Sequence, residues 1–287
     1  MTDAKSLTEG FENSAREAAF RIAPERAQEL VRLMGGATWY LDFEEGPANF
    51  TAYPSSKSIV GTYAALLSLW ATAASVRVLM IATQTAAEQD LKKIVIAPGT
   101  PGFAAIEFKN AALALIRNEA SAWVDLPANP DPAADLSTED GLTNNLFLAA
   151  LSFVVLHECG HITLGHQPYT TLLHEQEQEA DAWAVTWVLK MAPTESQREF
   201  RMLAVCIAFA WIGLIDEVRR ASTTHPPAAQ RLAKAYDCFG DVPDDSLALE
   251  VSSYVIKAFF DPTTDIPQPD DALSAFVDQL IGFSRSS

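Results

Sequence analysis

The sequence predicts a mainly α fold with a small antiparallel sheet, of the α+β class. Three observations predict it. Beyond residue 138, apolar residues recur almost everywhere at helical spacing. The β-like pieces lie before residue 110, where Gly and Pro mark the turns between them. Between those pieces runs a long, uncharged, Ala-rich stretch of helical character.

Pro24 at a first-turn position and Gly35-Gly36 after the last apolar residue bracket a short helix, 25–34. Strands are expected at 38–43 and 49–53, separated by the turn-like Glu44-Glu45-Gly46-Pro47. A long helix follows over 58–90. Residues 93–97 and 103–109 flank Pro98-Gly99-Thr100-Pro101-Gly102 and read as a hairpin. Residues 111–124 read as a helix, and the Pro- and Asp-rich segment 127–137 as a solvated connection. Helices are then expected over 144–164, 175–191, 195–221, 227–239, 246–260 and 270–283. The domain expectation is an N-terminal part, 1–126, holding the sheet, and a helical part, 138–287, the two integrated as one domain.

The formal charge of −17 argues against a nucleic-acid partner, whose phosphates it would repel. Cys159, Cys206 and Cys238 are odd in number and scattered, which suits free thiols in a reducing cytosol. Residues 1–20 carry charges throughout and no apolar core of a signal peptide, so a cytoplasmic location is expected. Residues 59–76 are uncharged and about as long as a minimal membrane span. Their alanines, serines, threonines and Gly61, with internal rather than terminal aromatics, fit a buried helix better; a membrane anchor is the alternative.

The most informative stretch is His157-Glu158-Cys159-Gly160-His161, the form HExxH. It ends an apolar run, 146–156, whose only polar member is Ser152. Four residues apart on a helix, His157 and His161 share a face and can reach one metal ion, Zn2+ being the expected cofactor. Glu158 lies one step round the turn, placed as a general base toward water rather than as a ligand.

Two histidines need a third ligand. A histidine six residues after His161, with Gly midway, is absent, because Gln167 and Leu164 occupy those positions. His166 falls one residue early and reads as a non-ligand at a helix end. Among Glu175, Glu177 and Glu179, helical spacing puts Glu177 on a stripe with Ala180, Asp181, Ala184 and Val188 that is otherwise small or apolar. A carboxylate there must be paired or coordinated, so Glu177 is the expected ligand and Glu179 a solvated residue. Asp181, one turn on, could bond the far nitrogen of a ligand imidazole. His174 is the substitute ligand.

HExxH followed by Glu177-xxx-Asp181 resembles the gluzincin metallopeptidases. The longer pattern, through His166 and on to Thr224-His225-Pro226-Pro227 and Arg231, is similar to the soluble core of HtpX and the CAAX-prenyl proteases. Motif position and the stretch Glu179 to Ala184 also resemble the phage-exclusion Lit peptidase family. The resemblance covers about 155–232 and implies a zincin-like catalytic core, with an active-site helix and a C-terminal helical part. It implies a zinc endopeptidase acting on a protein or peptide substrate, conditional in the Lit case and compatible with an activating peptide or partner protein. His225, stiffened by Pro226 outside any helix, is the expected oxyanion donor, and Arg231 would tether its loop. Ile94, Val95 and Ile96 would form a substrate-pairing edge strand. The alternatives are a regulator protease of the ImmA/IrrE type, cutting a repressor, and a non-catalytic zinc-stabilised interaction protein.

Overall fold

The computed structural model describes residues 3–35, 40–91, 93–100, 102–119, 126–167, 173–219, 225–261, 266–267 and 271–286. In chain order its helices are α1 (Ala4–Thr8), α2 (Glu12–Arg21), α3 (Ala27–Leu33), α4 (Tyr63–Glu88), α5 (Phe103–Ile116), α6 (Glu139–Leu164), α7 (Leu173–Leu189), α8 (Glu195–Arg219), α9 (Ala228–Asp237), α10 (Leu247–Phe260) and α11 (Ala272–Ser286). The strands are β1 (Tyr40–Glu44), β2 (Phe50–Tyr53), β3 (Ser58–Thr62), β4 (Lys93–Ile94) and β5 (Ile266–Pro267). The mainly α architecture with a small sheet is as expected. Gly36, Thr38, Val124 and Thr224 lie outside the described residues.

The sheet holds a strand that the sequence hid. Its order is β1-β3-β2, with β3 parallel to β1 and antiparallel to β2, so the sheet is mixed. Residues 58–62 had read as the first turns of the long helix, because no charge or proline separates them from it. They are extended: Ile59 and Val60 favour the pleat, and the Thr62 hydroxyl accepts the Ala65 N–H at 3.1 Å, starting α4 one residue later. Gly61 sits opposite both Phe43 and Phe50 in the register, and a Cβ there would come within 2.6 Å of the Phe50 ring.

The uncharged run 59–76 therefore begins in a strand. Two helices, α4 and α6, are long and apolar enough to cross a membrane by length and composition, but most of each apolar window, 78% and 83%, lies inside the protein. Small residues let α4 pack closely on α5 and α6. Two of its buried polar groups are paired inside the core: the Trp70 indole donates to Asn144 Oδ1, and Ser68 Oγ accepts the Trp211 indole N–H, both at 2.9 Å.

The expected hairpin is not formed. Residues 103–109 are the first half of α5, whose Ala- and Leu-rich continuation to Ile116 outweighs the turn signal before it. Lys93 and Ile94 pair instead with Pro267 and Ile266. Helix α6 starts at Glu139, five residues before the expected 144, because the Thr138 hydroxyl caps Gly141 N and acidic Glu139 and Asp140 fill the first turn. It packs against α2, α4, α7, α8 and β2, at the centre of a core to which residues on both sides of the 127–137 connection contribute.

Candidate metal centre

The last turns of α6 carry His157 and His161 on one face, toward α7. Between them, Gly160 allows the two helices to meet closely. A Cβ at Gly160 would lie 3.2 Å from Ala180 Cα and 3.3 Å from Ala180 O. That approach brings Glu177, one turn before Ala180, to the imidazoles.

His157 Nε2 and His161 Nε2 stand 3.1 Å apart. Glu177 Oε2 lies 3.4 Å from the first and Oε1 3.3 Å from the second. Tetrahedral zinc, with bonds of roughly 2.0–2.1 Å, would set its ligand atoms roughly 3.3 Å from one another. The Glu177 approaches use its two different oxygens, and one ligand atom from each of the three side chains lies within 4.8 Å of the others, so together they could hold a metal ion. Glu177 Oε2 is buried and, among the described residues, makes ion-pair approaches at 3.3–3.4 Å to Arg231 and His157 but no hydrogen bond, which leaves it open to a cation.

Charge points the same way. Arg231 Nε and Nη2 each lie 2.8 Å from Asp181, and Arg231 Nη1 lies 3.3 Å from Glu177 Oε2. Two carboxylates face one guanidinium, so this buried cluster lacks one positive charge. Burial opposes charging His157, but Asp181 and Glu177 outweigh it and push the ring up to about 10. Burial likewise opposes the charge on Glu177, whose carboxyl is nevertheless held far below the ordinary range by His157, His161 and Arg231. A divalent ion would supply the missing charge without a proton on the ligand ring.

Asp181 Oδ1 lies 2.9 Å from His157 Nδ1, an ion-pair approach on the far side of the ring without hydrogen-bond geometry. Arg231 pairs with Asp181, and the Asp216 carboxylate accepts Ala228 N–H at 2.7 Å at the start of α9, three residues after His225. His225 Nε2 reaches Glu177 Oε1 at 3.4 Å with its side chain half exposed, and burial lowers its pKa. Glu158 and His225 open onto a cleft bounded by Phe50, Trp211, Asp216 and Arg219.

Ile94, Val95 and Ile96 do not join this group. They belong to the β4 region, are absent from the cleft's lining and form no edge of the three-stranded sheet. The hairpin on which their assignment as a substrate-pairing strand rested is not formed, Lys93 and Ile94 pairing with Pro267 and Ile266 instead. The edge strand at the cleft is β2, through Phe50. Neither this strand's role nor Asp216 and Trp211 carried a signal in the sequence, because only tertiary packing brings them to α6. His174 is exposed and lies outside the cluster, as do Glu175 and Glu179. Cys159 is buried on the far side of its helix turn, and burial pushes its thiol well up.

A helix bearing two histidines, closed by a glutamate from the next helix and open to a cleft on one side, defines a protein built around a His-His-Glu centre able to hold a metal. Residues 59–252 match the family described as Peptidase U49, and the chain belongs to that family. The resemblance to the Lit type is borne out. The "Cell death peptidase" of Escherichia coli (strain K12) is 31% identical over 117 residues, which cover 38% of this chain and 39% of that protein. The match thus spans well under two thirds of the relative's length. No solved structure matches the chain.

Proposed function

We propose that this chain is a zinc-dependent endopeptidase in which His157, His161 and Glu177 hold the metal. The observation that carries this reading is the convergence of those three side chains, one ligand atom of each within 4.8 Å of the others, beside an open cleft. Bound there, zinc would supply a Lewis acid and bring the acidity of water toward neutral pH. Glu158 is the general base, taking a proton from the attacking water and returning it to the leaving amine. His225 donates to the carbonyl oxygen as charge develops on it. Asp181 fixes the orientation of His157, and Arg231 keeps Asp181 ionised. The outer edge of β2 pairs with the substrate backbone, in place of the 93–97 strand.

The relative's name supports a narrower reading, a peptidase whose action harms the cell; with the Lit-type resemblance and the free cysteines, this reading becomes a conditional cytoplasmic protease that acts in defence against phage. The parts before and after the 127–137 connection act as one domain, since Phe50 and Glu158 face the same cleft.

Expression of the full chain as wild type and as Glu158→Gln tests this. Both should bind about one zinc per chain, and only the wild type should produce newly cut host proteins. Equal proteolysis by the two would remove Glu158 from the mechanism, and wild-type protein without zinc would remove the metal.

A further inference from the structure

Helix α7 carries four carboxylates at alternate positions, Glu175, Glu177, Glu179 and Asp181, and the centre described above uses only Glu177 and Asp181. The two candidate ligand rings are backed differently. His157 Nδ1 faces Asp181 directly at 2.9 Å. His161 Nδ1 faces His166 Nδ1, also at 2.9 Å, and His166 Nε2 lies 3.1 Å from Glu179 Oε2. The His161 and His166 rings meet edge to face, their centroids 4.9 Å apart and their planes at 73°.

We infer that His166 is a positioning residue for His161, itself held by Glu179, so that one helix backs both ligand imidazoles with carboxylates. This rests on the metal reading. A single set of tautomers satisfies every contact. With Nε2 of His161 turned to the metal, its proton sits on Nδ1 and is donated to a bare His166 Nδ1. His166 then carries its own proton on Nε2, facing Glu179. Ligand rings are commonly fixed by such a bond on the far nitrogen.

The local backbone is built for it. Gly165 ends α6 in the left-handed region at φ 71°, which turns the chain back so that His166 N–H donates to His161 O at 3.0 Å. His166 is only 7% exposed although it follows the helix end, while the Glu179 side chain is 65% exposed and reaches in from the rim. A ring kept merely for packing would need neither nitrogen matched.

The test is zinc affinity of the full chain, measured by chelator competition, in His166→Phe, His166→Asn and Glu179→Ala. Phe fills the space without an acceptor and should weaken zinc by about 10- to 100-fold. Asn places an oxygen near the Nδ1 position and should restore most of the loss. Glu179→Ala should weaken zinc severalfold. Wild-type affinity in the Phe variant, or equal weakening in Phe and Asn, overturns the inference. Should the Phe variant fail to fold, wild-type affinity in Glu179→Ala overturns it instead. A wild-type chain that binds no zinc overturns the metal reading as well, whereas full binding by every variant removes only His166.

Discussion

Asp181 and Arg231 meet side-on, both contacts at 2.8 Å, and each residue is almost wholly buried. Breaking a buried pair from one side leaves the other charge uncompensated, which costs about 3–5 kcal/mol. Arg231→Met should therefore unfold at markedly lower denaturant concentration. Burial opposes the charge on Asp181, but Arg231 and His157 hold its carboxyl below the ordinary value. A depressed carboxyl stabilises the fold above its unfolded pKa, and that stability drains as pH falls through the lower folded value. Without Arg231 the acid-unfolding midpoint should move to higher pH, followed by circular dichroism. An unmoved midpoint would mean that the pair contributes nothing to acid stability.

Gly160→Val tests the helix contact. A branched side chain at this position meets the Ala180 backbone and must push α7 away, carrying Glu177 from the imidazoles. Overpacking of this kind costs about 1–3 kcal/mol. Zinc affinity should drop at least about tenfold, and a variant binding as tightly as wild type would contradict the close crossing.

Asp216→Ala should loosen the loop that carries His225. The Ala228 N–H loses its acceptor at the first turn of α9, a change worth about 0.5–2 kcal/mol of stability. Turnover should fall more than zinc content, because among the described residues Asp216 bonds Ala228 and none of the three proposed ligand side chains. Loss of zinc in parallel with activity would place Asp216 in the support of the centre instead.

Chelation should destabilise the protein. An ion present at 100 times its dissociation constant adds about 2.7 kcal/mol, so Tm should fall on metal removal and recover on adding zinc back. An unchanged Tm in a scanning experiment would mean that the ion makes no difference to folding.

The candidate site was largely legible in the sequence, and the substrate side was not. His157, His161, Glu177 and Asp181 lie on two helices whose 3.6-residue period is plain, and a buried stripe tolerates a carboxylate only with a partner. His225 and Arg231 came from resemblance, and both reach Glu177. The strand 58–62 was hidden because its apolar residues run on into α4 without a break. The hairpin pattern is ambiguous, because turn residues at 98–102 precede a helix as readily as a strand. His166 falls one position too early to be a ligand. Helical spacing does not describe the reversal after Gly165 that returns it to His161.

Trp211 stands in the wall of the cleft with its indole N–H tied to Ser68. The protein thus carries its own optical reporter at the mouth of the centre. A peptide settling there would change the environment of that indole and shift its emission. Candidate sequences could then be ranked by fluorescence titration of the Glu158→Gln protein, before any scissile bond is known.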